Sequence, residues 1–188
     1  MWRLLLLLSI LPIAAALIAR WYFGLRVLVQ DGARPCRCDL GTWMPVPEDK
    51  AVIHRAEESA AEFGRQLRVK ALDEWRERDP KAAAARERSR RFGMAVPPLS
   101  AIVVIFGMIA GRISGAWAIP IVLAATALAA VLGVLSMAPE LVAITRAAKK
   151  LREARSFPRR DDEDAVIRCA VAHSWKETLP PILRLLQR

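Results

Sequence analysis

The chain has 188 residues, 54% of them hydrophobic and 26% charged, and its cations outnumber its acids by ten. These are segregated into apolar and highly charged blocks, which argues against an ordinary soluble domain and points to a membrane protein. Three cysteines, Cys36, Cys38 and Cys169, are too few and odd in number for a disulfide framework.

The first 20 residues, MWRLLLLLSILPIAAALIAR, place one cation before an apolar run from Leu4 to Ala19. A signal peptide cleaved after Ala16 and an uncleaved anchor share that length. The run continues into Arg20-Trp21-Tyr22-Phe23, the aromatic and basic belt of a retained helix at a membrane interface. An anchor over 1–24 is therefore expected.

Residues 25–94 read as a cytoplasmic region of loop and basic amphipathic helix. LRVLVQ at its start alternates enough for a short strand, and DGARPCRCDLGTWMPVP is rich in turn formers. Cys36-Arg37-Cys38 has one intervening residue where structural zinc sites show two to four, so no metal is expected there. Pro47, Glu48 and Asp49 suit a helix start. Over 48–78, Ile53, Ala56, Ala60, Phe63, Leu67, Ala71 and Trp75 then form one apolar stripe at helical spacing. So narrow a stripe needs another helix of the chain, a second copy, a partner protein or the membrane surface. Ile53, Phe63, Leu67 and Trp75 are the candidate partner-binding residues. After Asp79-Pro80, KAAAARERSRRF resumes as a basic helix whose Arg86, Arg88, Arg90 and Arg91 suit anionic lipid headgroups.

Residues 95–138 form a hydrophobic hairpin. AVPPLSAIVVIFGMIAG and GAWAIPIVLAATALAAVLGVLSMA each approach the roughly 20 residues needed to cross a hydrocarbon core of about 30 Å. Gly107 and Gly111 have GxxxG spacing, and Ala125, Ala129 and Gly133 repeat small residues every fourth position, so these five are the candidate membrane-packing residues. Neither arm contains an ionisable group, which disfavours an ion-coupled carrier.

The tail, 139–188, contains an amphipathic helix with Leu141, Ile144, Ala148 and Leu151 on one face, stopped at Phe157-Pro158. A last helix runs from the acidic Asp161–Asp164 to about Thr178, with Val166, Ala170 and His173 on its inner face and Cys169 nearby. Cations crowd the regions on either side of the hairpin, and Arg112 alone marks its turn. The N-terminus is therefore expected outside, with 25–94 and the tail in the cytoplasm of a bacterial inner membrane. The same distribution accounts for the basic balance without nucleic acid.

Catalytic signatures are sparse. His54, Glu57 and Glu58 fall at helical spacing and are the weak candidates for a metal site. HExxH, a Gly-rich phosphate loop, GxSxG and CxxC are absent from the sequence. The order of parts and the segment PELVAITRAAKKL nevertheless resemble the neutral membrane zinc metallopeptidases of bacteria, over about 96–178. Glu140, Leu141, Ala143 and Arg146 fall at places matching that family's Glu-Phe-Asp-Ala-Ser-Arg-Arg type segment, and the 162–178 helix matches its Ala-rich helix. Val142 and Ile144 depart from the family's Asp and Ser. Without HExxH the resemblance implies a non-catalytic relative that binds or regulates an active protease.

The expected protein is thus an all-α membrane protein with three transmembrane helices, an N-terminal anchor plus a hairpin, and amphipathic cytoplasmic helices. Its expected role is a non-enzymatic interaction, scaffold or regulatory subunit without cofactor, partnered by lipid and by another membrane protein or a second copy. The alternative is a membrane zinc metallopeptidase-like hydrolase, degenerate or active.

Overall fold

The computed structural model of the chain describes residues 2–39, 43 and 57–178. Its elements in order are α1 (Trp2–Arg20), a π-helical turn (Trp21–Leu25), α2 (Arg26–Gln30), β1 (Pro35–Arg37), β2 (Glu57–Ser59), α3 (Ala60–Arg78), α4 (Pro80–Ile109), α5 (Gly115–Leu135), α6 (Ala138–Ala154) and α7 (Arg160–Thr178). The chain is mostly helical. It is not purely so, because β1 and β2 pair antiparallel with Cys36 opposite Glu58.

Three helices are long and apolar enough to cross a membrane: Arg3–Gln30, Pro80–Ile109 and Gly115–Ala154. Only 17%, 17% and 33% of their most apolar windows are buried inside the protein. Large side chains such as Leu8, Leu11, Val103, Phe106 and Ile109 are left exposed, a surface compatible with membrane embedding.

The chain divides into two compact units, one of Met1–Arg20, Ala84–Ala138 and Glu177–Arg188, the other of Trp21–Ala83 and Pro139–Lys176. In the first, α1 lies on α5 through Ile13, Ala16 and Leu17 against Leu123, Ala127, Ala130 and Val134. Ser9 and Thr126 hydroxyls donate to the Leu5 and Val122 carbonyls one turn back, at 2.7 and 2.8 Å. Their donors are thereby satisfied within their own helices.

The small residues expected to pack helices divide by role. Gly111 lies beyond the end of α4 in the turn, at φ +65°, and the Arg112 and Ile113 amides donate back to the Gly107 carbonyl. A Cβ on Gly107 would stand 2.5 Å from Ile113 Cδ1. Both glycines thus shape the hairpin turn, because reversal needs a positive φ and a place for Ile113. Ala129 and Gly133 do face close neighbours: Ala129 is buried with its carbonyl near Gly93, and Gly133 faces the Thr178 carbonyl. Ala125 is only half-buried.

The second unit is a helical bundle around one core. Ser59 caps α3, its hydroxyl accepting from the Glu62 amide at 3.3 Å, so α3 begins at Ala60 instead of Glu48. Residues 57–59, expected in that helix, are a strand; Glu48 and Ile53 lie outside the described residues. LRVLVQ, expected as a strand, is helical from Arg26, because the helix beginning in α1 continues through the π turn. Phe63, Leu67 and Ala71 of α3 meet Ile144, Ala147 and Leu151 of α6 and Ala165, Val166 and Cys169 of α7. Pairs Arg68–Glu140 and Glu74–Lys150 run in the same sense, so α3 and α6 are parallel. Pairs Glu140–Ser174 and Arg152–Glu163 run oppositely, so α7 is antiparallel to α6. Trp43, Phe63 and Phe157 close one end edge to face, with ring centroids 5.0, 5.7 and 5.4 Å apart.

The tightest approach in this unit is at Gly64, where a Cβ would stand 2.7 Å from Cys169 Cβ and 2.8 Å from the Ala170 amide. Backbone cannot give way as a flexible side chain does, so Gly64→Ala should destabilise the protein by about 1–3 kcal/mol through overpacking. Gly93→Ala, whose Cβ meets only the Ala129 carbonyl at 3.8 Å, should be near neutral. Thermal unfolding of the detergent-solubilised chain separates the two; equal melting points would refute the close packing of α3 on α7.

Candidate functional site

The second unit buries an ion pair where α3, α6 and α7 meet. Arg68 Nε donates to Glu140 Oε1 at 2.8 Å, and Ser174 Oγ donates to the same oxygen at 2.7 Å. Glu140 is 2% exposed and Arg68 8%. A carboxylate this deep is tolerable only with a cation and hydrogen bonds in place. Next to it, His173 Nε2 lies 3.0 Å from the Ala61 carbonyl, an acceptor, so the ring carries its proton on Nε2 and donates.

The three cysteines are buried and reduced. Burial pushes the Cys36 thiol up to about 11, with the Asp162 charge adding to the rise and Arg34 opposing it. Burial pushes Cys169 up to about 12, reinforced by Asp31 and Cys36 and opposed by Arg168. Cys38 is raised as well, chiefly by burial. Such thiols are poor nucleophiles, since that role needs the thiolate. They act as small apolar core groups.

On the outside of the same helices, α3 and α6 leave an open groove of about 260 Å³. Ala71, Trp75 and Ala143 form its floor; Glu74, Arg78, Arg146, Lys149, Lys150 and Glu153 form its walls. Lys150 pairs with Glu74 at 2.7 Å and Lys149 stands 3.9 Å from Glu153. Arg78 and Arg146 are exposed and have no carboxylate partner among the described residues. Nearby, burial pulls the Lys70 ammonium down, against Glu74 and together with Lys150.

The sequence-predicted candidates are distributed differently. His54 and Ile53 lie outside the described residues. Glu57 and Glu58 are successive residues of β2, so their side chains leave opposite faces and share no helical face. Glu57 stands 3.8 Å from Arg37, and Glu58 accepts from the Ser59 amide at 3.1 Å. Among the described residues, no group of three His, Cys, Asp or Glu side chains could hold a metal. Phe63, Leu67 and Trp75 are 0%, 1% and 5% exposed, so the stripe is covered by the chain's own α6 and α7. Of the four arginines assigned to lipid, Arg86 donates to the Gly133 carbonyl at 3.2 Å and to Ser136 at the end of α5. A cation there meets the negative end of that helix. Arg90 stands 3.9 Å from Glu177, Arg91 pairs with Glu87 at 3.0 Å, and Arg88 reaches only the Ala84 carbonyl.

Sequence reasoning does not single out Arg68 and uses Glu140 only for the family resemblance. The available signal was positional: Arg68 directly follows Leu67 of the stripe, and Glu140 stands in the first turn of an otherwise apolar helix start. Neither says that the two meet across 72 residues.

Compared with protein-family models, curated proteins and solved structures, the chain matches none.

Breaking the buried pair from one side, by Glu140→Gln or Arg68→Met, should cost about 3–5 kcal/mol, because the remaining group is stranded in the core. The double change Arg68→Met with Glu140→Met should recover much of that loss. Unfolding midpoints of the three variants test this; a double variant as unstable as the sum of the singles would refute it. The thiols give a pH signature. An unfolded cysteine ionises near 8.5 whereas Cys36 and Cys169 hold their protons to about 11 and 12. Their contribution is therefore complete below about pH 8.5 and is lost as pH rises through those higher values. The stability of wild type should fall more steeply between about pH 9 and 11 than that of Cys36→Ala with Cys169→Ala. Parallel pH profiles would contradict the buried, neutral state.

Proposed function

We propose that this chain is an integral protein of the bacterial inner membrane that acts without catalysis of its own, as an interaction or regulatory subunit. The observation carrying this reading is one of construction. Two of the membrane-length helical segments, Arg3–Gln30 and Gly115–Ala154, end in α2 and α6, which belong to a bundle with its own buried core and an open, cation-walled groove. A unit so built offers a folded surface tethered to a membrane. The surface left for a partner is the groove and the exposed sides of α3 and α6, since the apolar stripe is internal.

The distribution of cations supports an N-terminus outside, with 25–94 and the tail cytoplasmic. Arg88 and Arg91, both exposed, remain available to anionic headgroups. The resemblance to membrane zinc metallopeptidases fits as one form of this role, a relative without HExxH that binds or regulates an active protease.

Affinity purification of the tagged full chain in mild detergent should recover a partner in fixed ratio, and deletion of 48–78 should abolish that recovery. Unchanged recovery would place docking on the apolar helices instead. Recovery only of proteins confined to the outer face would reverse the orientation.

A further inference from the structure

We infer that the groove between α3 and α6 is a docking site for an acidic peptide segment of a partner protein, one that seats an apolar side chain on Trp75 and its carboxylates on Arg78, Arg146 and Lys149. The inference rests on the interaction-subunit reading and adds the chemistry of the partner.

Charge complementarity selects the occupant. Four cations wall the groove against two carboxylates, Glu74 and Glu153. Glu74 is engaged by Lys150, while Arg78 and Arg146 lack a carboxylate among the described residues. Several other cations of this unit are paired: Arg34 is held by Asp162, Arg168 by Asp31, and Arg152 by both Glu163 and Asp164, each at 2.7–2.8 Å. In the groove, Arg78 and Arg146 stand together beside an aromatic side chain without such a partner among the described residues.

The floor separates a peptide from a simpler anion. Ala71 and Ala143 offer a phosphate no side-chain donor and Trp75 only its indole N–H, so the floor is mainly an apolar seat. A volume of about 260 Å³ accommodates a side chain or two and is small for enclosing a whole cofactor. Guanidinium groups beside an aromatic floor are the usual composition of a peptide hot spot. A lipid headgroup fits less well. The groove residues of α6, from Ala143 to Glu153, lie about 7–22 Å along the helix axis from its start at Ala138, at about 1.5 Å per residue. The chain's own segment 179–188 carries Arg184 and Arg188 and no acid, so it does not complement the groove.

The full chain is reconstituted in neutral phosphatidylcholine nanodiscs and titrated with a dye-labelled peptide of twelve residues that alternates pairs of Glu with Leu. Binding should be saturable and weaken with salt, as ion pairing at an exposed site requires. Arg146→Glu with Lys149→Glu should reduce affinity at least tenfold, while Arg159→Glu with Arg160→Glu, outside the groove, should leave it unchanged. All four positions are exposed, and circular dichroism checks that both variants fold. No binding, or equal loss in the two variants, overturns the inference. So do a groove variant that loses affinity only for phosphatidylglycerol vesicles, which makes the occupant lipid, and one that converts a dimer to a monomer, which makes it a second copy. If the peptide fails while deletion of 48–78 still releases a partner, the interaction reading survives on another surface; if both fail, it falls too.

Discussion

Glu140 sits two residues into α6, just after the chain leaves a 21-residue apolar helix, and is almost fully buried. A carboxylate in that place would ionise only at great cost without the Arg68 guanidinium and the Ser174 hydroxyl on one of its oxygens. That requirement couples three helices. Arg68 must be presented by α3, so α3 must run parallel to α6. Ser174 must be presented by α7, so α7 must return antiparallel. The apolar contacts among Phe63, Leu67, Ile144, Leu151 and Val166 supply most of the attraction. They are compatible with neighbouring registers of the helices, however, and the ion pair is not. Its value is register more than net stability, as expected of a charge pair taken out of water.

Much of the architecture was legible in the sequence because it depends on local signals. The apolar runs, the Asp79-Pro80 interruption and the stop at Phe157-Pro158 all coincide with element boundaries in the structure. The stripe Phe63, Leu67, Ala71, Trp75 was readable from its spacing alone. What spacing could not say was which surface covers it, since a helix of the same chain and a helix of another protein bury it equally well. The start of α3 was misplaced for a related reason. Residues 57–59 have helix-compatible side chains, and they become a strand through pairing with Pro35–Arg37, some twenty residues away. A two-stranded ribbon of three residues a side leaves almost no periodicity to read.

The glycines show the same division. GxxxG spacing at Gly107 and Gly111 is a signal for close helix approach, yet here the second glycine lies past the helix end. Its positive φ and the room left for Ile113 serve the reversal between α4 and α5. The glycine that does admit a neighbouring backbone is Gly64, on the more polar α3, where nothing in the local pattern distinguishes it. Small residues mark closeness only in the context of what approaches them.

The placement of the acids ties fold to function. The chain has 19 acidic residues against 29 Lys and Arg, so its cations cannot all be neutralised internally. In the bundle some of the acids tie irregular backbone to the helices. Asp31 and Asp162 secure the segment around the β ribbon to α7, and Glu163 and Asp164 secure the turn from α6 to α7. Those positions need charge pairing because turns bury little apolar surface to hold them. The outer side of α3 and α6 carries pairs as well, Glu74 with Lys150 and Lys149 with Glu153, yet two of its cations, Arg78 and Arg146, have no carboxylate among the described residues. With acids ten fewer than cations, such residues are left over wherever the fold does not need them paired. Uncompensated charge beside an aromatic side chain is what the proposed acidic partner would neutralise.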